Sequence, residues 1–524
     1  MYNFENITPT NGFDTQDLIN ARQNNYAWSM SELGEYIYVG TGRNILLTVI
    51  STIFPSANLP ISIDPIEPDY QAEIWRYKKD GTQPWERVFK TEDPGIYGFR
   101  FMINFAAFGG FPALYAAGAS VSGEVIIYKS VNGVDWKAVS NEVKPSGTIQ
   151  GTSSRAMVVH HGKLYLATVD ESGAIPDALL YSSKDPEFYP WELETKLSST
   201  PGYDPDKNPQ GNITNMEVFN KRIYVATSAE DGIQVWRTDS EEPRFNDWTL
   251  IVDKGFGDES NKYSLAIGVF KNYLYVSGTK ELPLSWAIPR GCDIIRIDKQ
   301  DNWELVVGGI PFEPAIPTNG ERGKSISGLW SGFNNPFNVY AWQIKEYKGK
   351  LYITTFDDST NMQVILELIL ANREAVEMIL GKFITSILIK VYTLVVEVLA
   401  LIDYPFGFDM YVSNDGKKFK PLFLNGLCNR YNYGGRMLYV DCENDLYLGT
   451  ANPFQGLEVY KYDSCNNYCE CDCSNHNIYK EDKHFSEKYL EVSKEIEQYF
   501  DLLTEHKSEI EEMFNKLLNG RRFR

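Results

Sequence analysis

The densest reactive chemistry in this chain lies between residues 465 and 476. Cys465, Cys469, Cys471 and Cys473, with His476, place four thiols and an imidazole inside twelve residues. Tetrahedral zinc takes those donors, so the cluster is a candidate zinc site. Its Cys-x-Cys-x-Cys core departs from the paired Cys-x-x-Cys of ordinary zinc modules, and neighbouring residues of extended chain point opposite ways. Disulfides, within the chain or between chains, are the alternative. A second set is acidic: Asp170 with Glu171, Glu230 with Asp231, and Asp357 with Asp358. Each pair follows a similar aromatic segment, so the carboxylates recur at equivalent places. Such a set could ligate calcium or supply a glycosidase-like acid and base. Polar turns also gather Asp and Glu without any such purpose.

Other catalytic signatures are missing. The sequence holds no Gly-x-x-x-x-Gly-Lys-Ser/Thr phosphate loop, no His-Glu-x-x-His and no Gly-x-Ser-x-Gly elbow. Histidine is scarce, five in all, with His160 and His161 the one adjacent pair. A net charge of −20 excludes a general nucleic-acid binder, which needs a basic footprint, and opposes whole-body binding to acidic membranes. Seven cysteines, an odd number, with Cys292, Cys428 and Cys442 far from the cluster, do not make a disulfide scaffold. The first residues show no basic start and no apolar run, so a cytoplasmic protein is expected, with other export routes or a particle surface left open.

What must position these groups is a repeat. Short aromatic segments recur in order: Tyr36-Ile-Tyr-Val-Gly-Thr, Ala113-Leu-Tyr-Ala-Ala-Gly, Lys163-Leu-Tyr-Leu-Ala-Thr, Arg222-Ile-Tyr-Val-Ala-Thr, Tyr273-Leu-Tyr-Val-Ser-Gly, Lys350-Leu-Tyr-Ile-Thr-Thr and Asp445-Leu-Tyr-Leu-Gly-Thr. A strand-like segment precedes each, such as Tyr26-Ala-Trp-Ser-Met, and another follows, such as Glu73-Ile-Trp-Arg-Tyr. A polar turn then leads to a fourth, often opened by tryptophan, as at Trp85, Trp136, Trp191, Trp248 and Trp303. Four antiparallel strands per unit predict an all-β chain: a seven-bladed β-propeller over residues 1–463, each blade stacking on its neighbours. The last unit, from about Tyr431, shows three strands, and Tyr2-Asn-Phe-Glu-Asn-Ile is the expected fourth, closing blade seven. In such a ring Arg43, Arg100, Arg155 and the three carboxylate pairs are expected at the mouth of the central channel.

Two turns carry a resemblance. Ser130, Asn132, Gly133 and Trp136, and again Ser413, Asp415, Gly416 and Phe419, read Ser-x-Asp/Asn-Gly-x-x-aromatic. This resembles the Asp-box of sialidase-like (BNR-type) propellers and falls where that family places it, between third and fourth strands. The resemblance implies a structural turn on a propeller and does not imply sialidase activity. The Arg-Ile-Pro that the family carries near its start is absent; Gly98-Phe-Arg100-Phe does not match it.

Segments outside the repeat suggest contacts. Residues 43–71, with Pro55, Pro60, Pro65 and Pro68, form a proline-rich insertion in blade one, either a tolerated surface excursion or a loop packed over one mouth of the ring. Residues 362–402 predict an apolar helical hairpin inserted in blade six, turning at Gly381. Phe383 to Ile402 is long enough to span a bilayer, but Lys390 and Glu397 would each cost about 2–3 kcal/mol there, so packing on protein is the expectation and membrane contact the alternative. A linker at 464–479 leads to residues 480–520, where Phe485, Tyr489, Val492, Ile496, Tyr499, Leu503, His506, Ile510, Met513 and Leu517 alternate steps of four and three. That is a heptad pattern, a C-terminal helix needing a partner surface. The expected function is therefore non-enzymatic: a propeller scaffold that binds, docks a protein partner or self-associates through these helices. A carbohydrate- or small-molecule-active enzyme with acidic channel-mouth residues is the second expectation, and a membrane-associating protein the third.

Overall fold

The computed structural model describes residues 4–462 apart from 54–57, 60–62, 64–66, 122, 283–284 and 286–287, together with Ser508. The cysteine cluster at 465–476 and the heptads at 485–517, Ser508 apart, lie outside the described residues.

Strands dominate, in antiparallel sheets of sixteen, five, four and four strands. The smaller sheets show the building pattern. Ser153–His160, Lys163–Val169, Leu179–Ser183 and Glu192–Leu193 pair in chain order, each antiparallel to the one before. Asn212–Phe219, Arg222–Ala229, Gly232–Thr238 and Trp248–Val252 repeat the run. In the five-stranded sheet Asn261–Tyr263 and Ile267–Phe270 share the first place, ahead of Tyr273–Lys280, Asp293–Ile297 and Trp303–Val307. The large sheet holds further runs beginning at Asn24, Ile96, Asn338 and Gly434. Single bridges tie them: Tyr26 to Ala451, Gly42 to Gly98, and Phe356 to Gly434. The run from Gly434 takes its outer strand from far back in the chain, Phe4–Asn6 pairing with Val459–Tyr462.

The Leu-Tyr segments are the second strands of these runs, buried almost along their whole length. Both of their faces are covered, which is why they read as continuous apolar stretches rather than alternating ones. Apolar side chains gather between one run and the next. Phe99 and Met102 meet Tyr38 and Ile74; Met157 and Leu164 meet Phe105 and Tyr115; Met216 and Trp236 meet Tyr165 and Leu180. The series continues to a cluster that joins Tyr447 and Val459, near the end of the described chain, to Ala27, Met30 and Trp75 near its beginning. The core is thus a circle of separate layers.

The two Ser-x-Asp/Asn-Gly turns are built alike. Ser130 Oγ accepts from Gly133 N at 2.8 Å, and Asn132 Oδ1 from Val134 N and Asp135 N. Ser413 and Asp415 do the same for Gly416, Lys417 and Lys418. Glycine is required twice over: φ is +77° at Gly133 and +72° at Gly416. A Cβ would also lie 1.9 Å from the Tyr38 hydroxyl at the first and the Tyr275 hydroxyl at the second. Each turn therefore seats on the Leu-Tyr tyrosine of the preceding run.

Helices fill two excursions. Helix α1 (Ile45–Ile53) follows the second strand of the first run, while α2 (Ser359–Ala371) and α3 (Arg373–Leu401) leave the second strand of the run from Asn338. Asn372 separates α2 from α3, yet Asn372 N donates to the Leu368 carbonyl and Val376 N to the Asn372 carbonyl, so helical bonding runs across it; helical geometry is lost at Gly381, where φ is +78°. Only glycine takes that conformation without strain, so Gly381 marks the break within α3. Val376, Leu388, Val391, Tyr392, Val395 and Leu399 pack with Met362, Ile369, Phe337 and Tyr404. Val364 and Leu368 meet Ile50 of α1, and Asn372 exchanges hydrogen bonds with the backbone of Asn58.

Candidate ligand-binding cavity

In six of the first strands the pairing ladder skips a residue. Trp28, Arg100, Arg155, Thr214, Trp342 and Arg436 each fall between consecutive partners of the adjoining strand. A bulge bends the strand and re-aims a side chain. All six residues line one cavity of about 590 Å³, and so does Leu265, the matching residue of the five-stranded sheet. Helix α1 contributes Ile45, Thr48 and Val49 to the lining.

One side of the cavity is aromatic. Tyr26 stands nearly perpendicular to Trp28 and to Trp342, with ring centroids 6.3 and 5.6 Å away, and Tyr340 is 5.2 Å from Trp342. The Tyr26 hydroxyl bonds that of Tyr433, and burial pushes the Tyr26 hydroxyl up to about 12. The charged side is built from arginine. Glu171 Oε1 accepts from Arg100 Nη1 at 2.9 Å and Arg155 Nη2 at 2.7 Å. Burial opposes its charge, but Arg155 and then Arg100 hold the carboxyl below its ordinary value. Arg100 also lies 5.0 Å over the Trp28 ring. Asp170 closes its own turn, accepting from Ser172 N, Ser172 Oγ and Ile175 N. Those bonds lower its pKa against the opposing effect of burial.

Arg436 differs from the other two arginines. It is 8% exposed, it makes no salt bridge among the described residues, and its Nε has no acceptor. Its nearest counterpart is the Trp342 ring, 5.4 Å away. Burial, with the charges of Arg100 and Arg155, pushes its guanidinium down to about 9.

The remaining residues singled out from sequence lie elsewhere. Arg43 is wholly buried, bonded to Asn24, Asn20 and Asp69. Glu230 and Asp231 form the turn after Arg222–Ala229, where the Glu230 carbonyl accepts from Lys262 Nζ. Asp357 and Asp358 are fully buried at the foot of α2. Neither pair joins Glu171 in the cavity, so the three pairs form no common ring. Among the described residues, no three His, Cys, Asp or Glu side chains are grouped to hold a metal ion.

Asp357 belongs to a different repeated feature. At the start of several third strands a buried acid accepts from an asparagine of the first strand: Glu73 from Asn24, Asp293 from Asn261, Asp409 from Asn338. The residue paired with that asparagine on the second strand is Arg43, Lys280 and Asp357 in turn. Lys280 Nζ sits 2.9 Å from Asp293 and 2.8 Å from Asp258. Asp357 brings a second carboxyl instead, and Asn335 Nδ2 lies 3.4 Å from both Asp357 and Asp409. Burial pushes Asp357 up to about 6 and, with the charge of Asp357, Asp409 up to about 7. Burial also raises Asp358, whose Oδ2 has no partner.

Neither Arg436 nor Asp409 was singled out from sequence, nor were the aromatic residues of the cavity wall. No family model matches the chain, and no curated protein matches it. Solved structures of propeller-like or β-rich folds do. A putative 6-phosphogluconolactonase from Bacteroides uniformis aligns at 11% identity with a TM-score of 0.39, over 75% of this chain and 88% of that one. A Pyrococcus horikoshii acylaminoacyl peptidase aligns at 9% and 0.38, over 86% and 53%. A chain of a nidogen/laminin complex aligns at 8% and 0.31, over 54% and 79%. At these values the likeness bears on neither family nor activity.

Proposed function

We propose that this chain is a seven-bladed β-propeller of the Asp-box kind, and that it is a non-enzymatic binding protein whose ligand occupies the central cavity. The observation that carries the reading is the convergence of the bulged residues. Trp28, Arg100, Arg155, Thr214, Trp342 and Arg436 break their ladders at one matching position and face one space. A volume of about 590 Å³ with an aromatic wall and a few placed polar groups suits a small molecule. Catalysis is the weaker reading because both lining carboxylates, Asp170 and Glu171, are engaged by fixed donors and held ionised. A general acid would need one raised and free. The test is a thermal-shift screen of small molecules on the full chain and on Thr214→Trp, which fills the cavity. Compounds that stabilise the first and not the second are expected; a screen in which every stabilising compound works equally on both overturns the proposal. Turnover of any compound in a glycoside panel would favour the enzyme.

A second reading concerns the helices. Met378, Phe383 and Leu401 are 82%, 71% and 80% exposed, and Leu380–Leu401 is long and apolar enough to cross a membrane, although a third of that stretch is buried in the protein. A surface of this kind favours a docking role, with a protein partner or a second copy ahead of lipid. Light scattering of the full chain against a version lacking residues 362–402 tests the first two, and liposome flotation the third.

A further inference from the structure

We propose that the ligand of the central cavity is a small organic monoanion, a carboxylate or sulfonate on a flat apolar body, with Arg436 taking its charge. The proposal rests on the reading of the cavity as a ligand site and adds the chemistry of the occupant.

The charges of the lining point to it. Three guanidinium groups face two carboxylates there: Arg100, Arg155 and Arg436 against Asp170 and Glu171. Arg100 and Arg155 share Glu171, and Asp170 is spent on its own turn. One cation is left over. Arg436 is more than nine-tenths buried, its Nε lacks an acceptor, and a ring face is all that answers its charge. A buried charge without a partner is unfavourable in a folded protein, and an anion entering the cavity supplies the partner. Guanidinium suits the planar group of a carboxylate.

The same arrangement limits the ligand to one charge. A second anionic group would have to compete with Glu171 for Arg100 and Arg155, both already paired at 2.9 and 2.7 Å. The body of the ligand is set by the apolar lining that begins at Arg436 with Trp342 and continues through Tyr26, Tyr340, Leu265 and Leu282. Flat rings offset against such walls are favoured.

Titration calorimetry on the full chain with 2-naphthoate, its neutral isostere 2-naphthamide and naphthalene-2,6-dicarboxylate tests the assignment. We expect 2-naphthoate to bind at least about tenfold more tightly than the amide, and the dicarboxylate no more tightly than the monoanion. In Arg436→Met the preference for the anion should disappear, while Arg436→Lys keeps it. Ligand-free Arg436→Met should unfold no earlier than the wild type, because a buried unpaired cation has gone; Arg436→Gln serves if the methionine variant does not fold. Equal binding of acid and amide, or an anion preference that survives Arg436→Met, overturns the charge assignment and leaves the cavity a ligand site. A dianion that binds more tightly overturns the restriction to one charge. If none of the three probes binds, this proposal falls, while the reading of the cavity as a ligand site stands or falls with the thermal-shift screen.

Discussion

Two corners of the molecule use the same three backbone positions in opposite ways. In the run that holds Asp293–Ile297, an asparagine, a lysine and an acid meet: Asn261, Lys280 and Asp293, with Asp258 and Arg322 alongside. In the run that holds Met410–Ser413, the matching residues are Asn338, Asp357 and Asp409, with Asp358 nearby and no cation paired to them among the described residues. Burial works against ionised carboxylates in both. At the first corner Lys280 outweighs it and Asp258 and Asp293 stay below their ordinary values. At the second nothing does, and the carboxyls keep their protons up to about pH 6 to 7. The backbone fixes which side chains meet, and one residue of the three decides whether the meeting is an ion pair or a protonated pair.

The largest expected effect comes from breaking the first corner. Lys280→Met leaves buried Asp258 without its cation and Asp293 with Arg322 alone, and should cost about 3–5 kcal/mol, read from urea unfolding. Arg43→Met breaks the matching pair of the first run, but Arg87 still reaches Glu73 and Lys90 still reaches Asp69; a loss of about 2–3 kcal/mol is expected. The third measurement follows stability against pH. The folded chain keeps protons at Asp357 and Asp409 that the unfolded chain releases near pH 4, so the second corner contributes fully at low pH. That contribution is lost as pH rises through about 6 to 7. The first corner runs the other way, contributing at neutral pH and losing its contribution on acidification. Asp357→Asn should flatten the decline toward alkaline pH and, at pH 8, stabilise the protein by on the order of 1–3 kcal/mol; a variant with an unchanged pH profile would end the contrast. The smallest effect is expected for Tyr404→Phe. Its hydroxyl donates to Asp357 Oδ2 at 2.7 Å, so its loss should cost about 1 kcal/mol at pH 8 and less at pH 5, where the carboxyl is protonated.

The strands were far more legible in the sequence than the sites. Leu-Tyr segments announce themselves because both of their faces are buried and their tyrosines meet the next run, as Tyr38 meets Gly133. The cavity had a quieter signal. Trp28, Arg155, Thr214, Leu265 and Trp342 each stand ten residues before Tyr38, Tyr165, Tyr224, Tyr275 and Tyr352, but the types are unalike, and bulges are not written in composition. Arg436 escaped notice inside Gly434-Gly-Arg-Met-Leu, which reads as an ordinary strand. Arg100, Arg155 and Glu171 were picked out as candidates for one opening, and the structure joins them. Asp409 was hidden for another reason: its partner Asp357 lies across the whole helical excursion, a separation no local pattern spans. Arg43 shows the converse, a charged residue at a strand end that looked available and is consumed by Glu73, Asp69 and two asparagines.

The pairing of Phe4–Asn6 with Val459–Tyr462 bears on how the protein is made. A ribosome delivers Phe4 long before it delivers Val459, and until then the first layer of the core, from Ala27 to Trp75, lacks Tyr447 and Val459 to lie against. Most of the molecule must therefore emerge before its opening segment has a place to go. In that interval the sheet offers two raw edges, the kind that recruit stray strands from other chains. Translation speed and chaperone supply, more than final stability, should then govern how much of this protein a cell recovers in usable form.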